Sequence, residues 1–407
     1  MDSGFDVAVI GAGPAGAVAA ALLARRGWRV CVMEQSRFPR FSIGESLLPQ
    51  SMAFLEQAGM LDAVQAAGFQ TKNGAAFRQG ERSQALRFEE KSATGWFETF
   101  EVTRADFDRI LADQAAAAGA EIFFETRVEA FDHDGGRSCL RVRDRNGGER
   151  DIHAPLVLDA SGFGRVLSRL LDLEKPSGFP RRTSLFRHLA DHIDRPDFDR
   201  NKILISIHPG NADIWYWLIP LAGGVSSVGV VGQAADIDAA GDTDDSRFAA
   251  LVAQSGHMAD LLAKASPVRD VGRLSGYSAS VSALTGPGWV LLGNAAEFLD
   301  PVFSSGVTIA LKSATLAAEA ADRQLSGQAV DWDRDYQQPL MGGVETFRAF
   351  VEAWYTGQLQ RIIMNQPAET NRLKQMIISI LAGYVWDQEN LFVRNPKRYL
   401  ALVDELC

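Results

Sequence analysis

Cysteine is scarce in this chain. The three thiols, Cys31, Cys139 and Cys407, are too few and too widely spaced for a disulfide framework or a Cys-x-x-Cys metal site. Positive charge is also in short supply, 41 Lys and Arg against 51 Asp and Glu, for a net charge of −10. Without a basic surplus to neutralise phosphates, nucleic acid is excluded as a partner. No apolar run approaches the roughly eighteen residues of a membrane span. The first strand follows Met1 almost at once, so no cleavable leader is expected either. A nucleophile-elbow Gly-x-Ser-x-Gly, a zinc pattern, a P-loop, internal repeats and low-complexity linkers are all missing. His188 and His192 have the i,i+4 spacing of two imidazoles on one helix face, but no third ligand accompanies them. What remains is an ordinary globular composition, 46% hydrophobic and 23% charged, over 407 residues. That length suggests two or three structural units, read as a cytoplasmic enzyme.

What is present starts at the N-terminus. Asp6-Val7-Ala8-Val9-Ile10 reads as a buried strand and Gly11-Ala12-Gly13-Pro14-Ala15-Gly16 as a Gly-rich turn. A small-residue helix follows, then Val30-Cys31-Val32-Met33-Glu34, a second strand ending in an acid. Each part suits a dinucleotide. Gly11 permits a tight turn, Gly13 lets backbone approach a pyrophosphate, and Gly16 lets the helix pack close to the strand. Ala15 lies in the same loop. The helix N-terminus offers free N–H groups and positive dipole, and Glu34 can accept both ribose hydroxyls.

The rest of the pattern is a mixed α/β chain. Helices are predicted from about Pro49 to Gly59, over Leu61–Ala67 and over Arg104–Gly119. Alternating residues predict strands over 74–101, then Glu121–Phe124, a hairpin turning at Asp134-Gly135-Gly136 and Arg145-Asn146-Gly147-Gly148, and Ala154–Ala160. Strand patterning returns over 183–235, helix over 246–266, a buried strand at Trp289, and a long helix after Gly306. From about Asp331 the chain is helical. These segments predict a discontinuous Rossmann-like dinucleotide-binding domain over 1–71, 101–180 and 271–328, which the resemblance given next implies is an FAD-binding domain of the glutathione-reductase type. A substrate-binding antiparallel β-sheet domain is expected over 72–100 and 181–270, and a helical C-terminal region over 329–407.

Several later segments resemble FAD proteins of the para-hydroxybenzoate-hydroxylase type. Leu156-Val157-Leu158-Asp159-Ala160-Ser161-Gly162 resembles the strand and turn that return beside the first Gly loop. Gly293-Asn294-Ala295-Ala296, followed by Asp300-Pro301, resembles a Gly-Asp-Ala-Ala segment whose acid binds the ribityl chain, with Asn294 replacing that acid. Arg104 matches an arginine at a helix start near the flavin. The resemblance implies FAD held by Gly11, Gly13, Ala15, Gly16, Glu34, Arg40, Ser46, Arg104, Asp159, Gly162, Asn294, Asp300 and Gly306. No second Gly-rich fingerprint exists for NAD(P)H, so electrons must arrive from transiently docked nicotinamide or from a partner flavin reductase.

Two further motifs resemble the flavin-dependent halogenases. Trp215-Tyr216-Trp217-Leu218-Ile219-Pro220 reads W-x-W-x-I-P. Strand periodicity puts Trp215 and Trp217 on one face as a rigid apolar wall. Lys72-Asn73-Gly74-Ala75-Ala76-Phe77 resembles the family's K-x-G-x-x-F lysine, placed shortly after Gly44-Glu45-Ser46. The resemblance implies that reduced flavin and oxygen convert halide to hypohalous acid, which Lys72 hydrogen-bonds as an ammonium or traps as an amine. It assigns catalysis to Lys72, Glu45, Trp215 and Trp217, and a halide site to the N–H groups of Ser305 and Gly306. Gly306 would there adopt angles forbidden to other residues, and Phe303 would keep the halide dry. Phe303 stands where tryptophan halogenases place a glutamate, pointing away from indole toward phenols, pyrroles or carrier-bound substrates. The expected activity is an FAD-dependent oxidoreductase of the smaller halogenase-like branch, acting on an electron-rich aromatic or carrier-bound acyl group. The alternatives are a monooxygenase or dehydrogenase without halide chemistry, and a flavin-binding sensor, which would need neither Glu45 nor Lys72.

Overall fold

The computed structural model describes residues 4–366 and 370–405, so Cys407 lies outside the described residues. Val7–Ile10 and Val30–Met33 are apolar runs buried along their whole length, the pattern of inner strands in a helix-covered parallel sheet. They pair in parallel with Val7 opposite Val30, and Leu156–Asp159 joins the other side with Leu156 opposite Val7. The complete sheet runs Thr285–Gly286, Trp289–Leu291, Leu156–Asp159, Val7–Ile10, Val30–Met33, Glu121–Phe123. Only its first strand is antiparallel to its neighbour. Helix Pro14–Ala24 opens on a proline, favourable in a first turn, and its small side chains let it pack against the long helix Ser305–Leu325. Ligands in such sheets bind beyond the carboxyl ends of the strands, where Gly11, Glu34 and Ala160 come together.

A second sheet of eight strands supplies the other wall. It runs Ser266–Pro267, Arg182–Ala190, Val225–Gln233, Trp215–Leu221, Lys202–Ile207, Gly74–Gln79, Arg82–Arg87, and Gly272–Ser275 also pairs with Arg182–Ala190. Alternation along Trp215–Leu221 divides its side chains between two cores. Trp215, Trp217 and Ile219 join the main core, and Tyr216 and Leu218 join a second core under helices Asp244–Ala253 and His257–Leu261. Gly229 lies opposite Trp217, where any Cβ would fall 2.2 Å from the indole. The C-terminal helices close over this frame. Helix Gln338–Tyr355 sets Trp354 edge-on against Phe303 at 5.9 Å.

His188 lies in the strand Arg182–Ala190, within the strand patterning expected over 183–235, and His192 lies beyond it at φ +49°, so the pair shares no helix face. One reading of the sequence needs correction. The long helix begins at Ser305, not after Gly306. Among the described residues no helix is long and apolar enough to cross a membrane.

Candidate functional site

The turn after Val7–Ile10 is built by close approach. Gly11 has φ +93°, and a Cβ there would lie 2.7 Å from the Ala160 carbonyl oxygen. At Gly16 a Cβ would lie 1.9 Å from the Gly11 carbonyl oxygen. Gly16 is therefore a packing residue beneath the loop and does not line the cavity. At Gly13 the nearest atom to a Cβ is an Arg40 nitrogen at 3.7 Å, so this residue leaves space above the helix N-terminus. That space belongs to a cavity of about 980 Å³ reached by Gly11, Gly13, Ala15, Glu34 and Arg40 at one end.

The acid ending the second strand is buried and anchored. Glu34 accepts from the Ala12 N–H at 3.0 Å and the Ser36 N–H at 2.9 Å. Arg40 lies 3.9 Å from Glu34 and donates to Asp108 at 3.0 Å. Asp108 in turn accepts two hydrogen bonds from Arg104, at 2.8 and 3.0 Å. Arg104 also donates to the Ile43 carbonyl at 2.7 Å, tying the loop around Gly44 to helix Arg104–Ala117. Two guanidiniums sharing one buried carboxylate are held rigidly, and both Arg40 and Arg104 line the cavity. Gly162 and Asn294 line the same space, and so do Ser304 and Gly306.

The structure places other predicted ligands elsewhere. Asp159 is fully buried, and its carboxylate accepts from the N–H groups of Ser161 and Leu167 at 2.9 and 2.7 Å. It holds its own turn and does not reach the cavity. Asp300 accepts from its own turn at Val302 and from Tyr355 at 2.8 Å, with Tyr277 at 3.5 Å. Burial pushes its carboxyl up to about 6. Asp300 too is corrected from ligand to framework. Gly306 has ordinary helical geometry, and its lack of a side chain matters because a Cβ would approach Phe298 to 3.3 Å.

The catalytic candidates lie at the inner end. Glu45, Ser46, Trp215, Trp217 and Ile219 line the cavity. The indoles are 6.0 Å apart, and Trp215 donates to the Tyr355 hydroxyl at 3.1 Å. Glu45 is buried and meets Nε2 of His188 at 2.5 Å. Lys72 does not border the cavity. Its ammonium lies one layer deeper, donating to the Ser46 hydroxyl at 2.7 Å and the Leu47 carbonyl at 2.9 Å. Burial pushes the Lys72 ammonium down to about 8, opposed by the Glu101 carboxylate. Tyr277, Tyr355 and Glu101 carry no strong site signal in the sequence, and His188 is read there only as a metal-ligand candidate with His192. Glu101 ends the strand just before the Arg104 helix, a weak signal on its own.

A Gly turn without room for a Cβ, an anchored acid at the second strand end and cationic groups fixed toward a long cavity fit the pyrophosphate and ribose of FAD. Fold and cavity together define an FAD-binding oxidoreductase. An FAD binding domain model matches residues 4–336. The chain belongs to that family, and its relatives among known proteins include flavin-dependent halogenases. It is 29% identical to a 1H-pyrrole-2-carbonyl-peptidyl-carrier-protein chlorinase of Pseudomonas fluorescens, over 98% of this chain and 93% of the relative. A flavoprotein/dehydrogenase of Cytophaga hutchinsonii superposes with a TM-score of 0.96 at 41% identity, covering 99% of this chain and 98% of that one. The flavin-dependent brominase Bmp2 superposes with a TM-score of 0.84 at 26% identity, covering 98% of this chain and all of the brominase.

Proposed function

We propose that this protein halogenates an electron-rich aromatic ring, a pyrrole or phenol, carried as a thioester on a carrier protein. The observation that carries the reading is the buried Lys72 ammonium, hydrogen-bonded to Ser46 in the wall of the FAD cavity. When bound and reduced, FAD supplies with oxygen the two-electron oxidation of halide to hypohalous acid. The chain's own residues do the rest. Trp215 and Trp217 wall the cavity with apolar surface and keep water from it. The N–H groups of Ser305 and Gly306 open the long helix, whose N-terminal dipole favours an anion. Lys72 holds the hypohalous acid by hydrogen bond while the ring displaces its hydroxyl; the ring's proton and the hydroxyl leave as water. Electrons reach the cofactor from docked NAD(P)H or a flavin reductase.

A second reading, oxidation without halide, is favoured by Lys72 not bordering the cavity and by the 41% likeness to a flavoprotein/dehydrogenase. The test supplies reduced FAD, oxygen, bromide and a pyrrolyl carrier-protein thioester, and reads the product by mass. The wild type gives brominated product, and Lys72→Met loses it while retaining FAD. Oxygenated or dehydrogenated product alone from the wild type establishes the second reading instead.

A further inference from the structure

The surroundings of Lys72 contain a carboxylate that no part of the fold uses. Strand Gln70–Lys72 pairs antiparallel with Thr99–Glu101, setting Lys72 opposite Thr99 and Gln70 opposite Glu101. On the other edge Ser46 pairs with Glu101, through Leu47 N–H to Phe100 at 3.1 Å and Val102 N–H to Glu45 at 2.7 Å. Directly opposed residues share a face, and so do residues two apart. Lys72, Thr99, Glu101 and Ser46 therefore lie on one side, and the lysine crosses the middle strand to reach Ser46. Glu101 is 0% exposed, yet neither carboxylate oxygen has a hydrogen-bond partner, and the Thr99 hydroxyl has none either. A buried group left unpartnered demands an explanation.

We infer that Glu101 is a positioning residue for Lys72, keeping it an ammonium that hydrogen-bonds the oxidant and preventing it from becoming an amine that traps halogen. The inference rests on the halogenase reading for its chemical consequence only. An ammonium has no lone pair and cannot form an N–halogen bond; it can only donate. Two of its three hydrogens go to Ser46 and Leu47, leaving one for an incoming oxygen. Burial pushes the Glu101 carboxyl well above the usual carboxylate range; of the charges facing it, Lys72 and Arg200 pull it back toward the carboxylate and Glu45 opposes them. Arg200 is committed to Asp191 at 2.9 Å, and Glu45 to His188. Lys72 is thus the charge left to compensate Glu101. Burial alone drives a lysine toward the neutral amine, and Glu101 resists that drive.

The test is a pH titration of lysine side-chain NMR signals in the FAD-loaded protein, with Lys72→Met assigning the resonance. Wild type should titrate near 8. In Glu101→Gln the proton affinity of Lys72 should fall about tenfold or more, and Glu101→Asp should stay near wild type. The alkaline limb of the halogenation pH profile should move down by the same factor. An unchanged Lys72 midpoint in Glu101→Gln overturns the inference. A wild type that never halogenates overturns the proposed function and leaves the titration to decide the lysine's charge by itself. If Glu101→Gln fails to fold, the double variant Lys72→Met with Glu101→Leu decides. It should melt above Lys72→Met alone, because the two charges compensate each other. A double variant no more stable than the single one refutes the pairing.

Discussion

Two glycines of one loop should fail in opposite ways when replaced. Gly13 precedes helix Pro14–Ala24 at φ −68° and ψ −174°, extended angles that valine adopts readily. Its side-chain position faces the cavity with nothing nearer than 3.7 Å. Gly13→Val should therefore leave the FAD-free protein within about 0.5 kcal/mol of wild type. Its methyls would fill the space assigned to the pyrophosphate. Gly16 is different, because a Cβ there would lie 1.9 Å from the Gly11 carbonyl and 3.2 Å from Ala160 Cβ. Both neighbours are fixed by the central sheet, so Gly16→Ala should cost the FAD-free fold about 1–3 kcal/mol or more. Urea unfolding with and without FAD separates the two. At a hundredfold excess over Kd the cofactor should stabilise wild type by about 2.7 kcal/mol, and Gly13→Val by nothing measurable. An FAD-dependent gain in Gly13→Val, or a wild-type midpoint in FAD-free Gly16→Ala, would refute the assignment of the loop.

Asp300 gives a pH signature. Its carboxyl is raised from 3.8 to about 6, so between those values the native state keeps a proton that the unfolded chain has lost. That contribution is complete below about pH 4 and disappears as pH rises through 6, a change of about 3 kcal/mol; Asp300→Asn should flatten the slope in urea midpoints. Chloride or bromide should perturb the bound flavin spectrum saturably, and Gly306→Val, whose side chain would crowd Phe298 at 3.3 Å, should abolish the effect. A spectrum indifferent to halide in both proteins removes the anion site from Ser305 and Gly306.

The parts legible in the sequence are those whose reasons lie close together along it. Gly16 and Glu34 answer to contacts within one strand–helix–strand unit, and Trp215, Tyr216 and Trp217 alternate because a strand does. The i,i+4 spacing of His188 and His192 carried no site because such spacing also occurs along a strand and its following turn. Asp159 and Asp300 misled for another reason: an acid at a strand end or a turn start looks the same whether it holds a ligand or its own turn. Here the N–H groups of Ser161, Leu167 and Val302 occupy them. Glu101 was invisible because its neighbours, Ser46 and Lys72, come from two other stretches of chain.

That same layering bears on the chemistry. A flavoenzyme that oxidises substrate directly must bring the substrate's reacting atom against the flavin. In this protein the inner wall of the cavity is Trp215, Trp217 and Ile219, bulky and held by the Tyr355 and Ser227 hydroxyls at 3.1 and 3.3 Å from the two indole nitrogens. Behind Ser46 lies the buried Lys72 ammonium, which donates to the Ser46 hydroxyl. A site divided in this way suits an oxidant small enough to be handed across a single hydroxyl, and hypohalous acid has that size. On the function proposed above, Lys72 on the far side would meet the oxidant and not the flavin, and the charge state that we infer Glu101 sets would bear on the outcome while leaving the FAD cavity untouched.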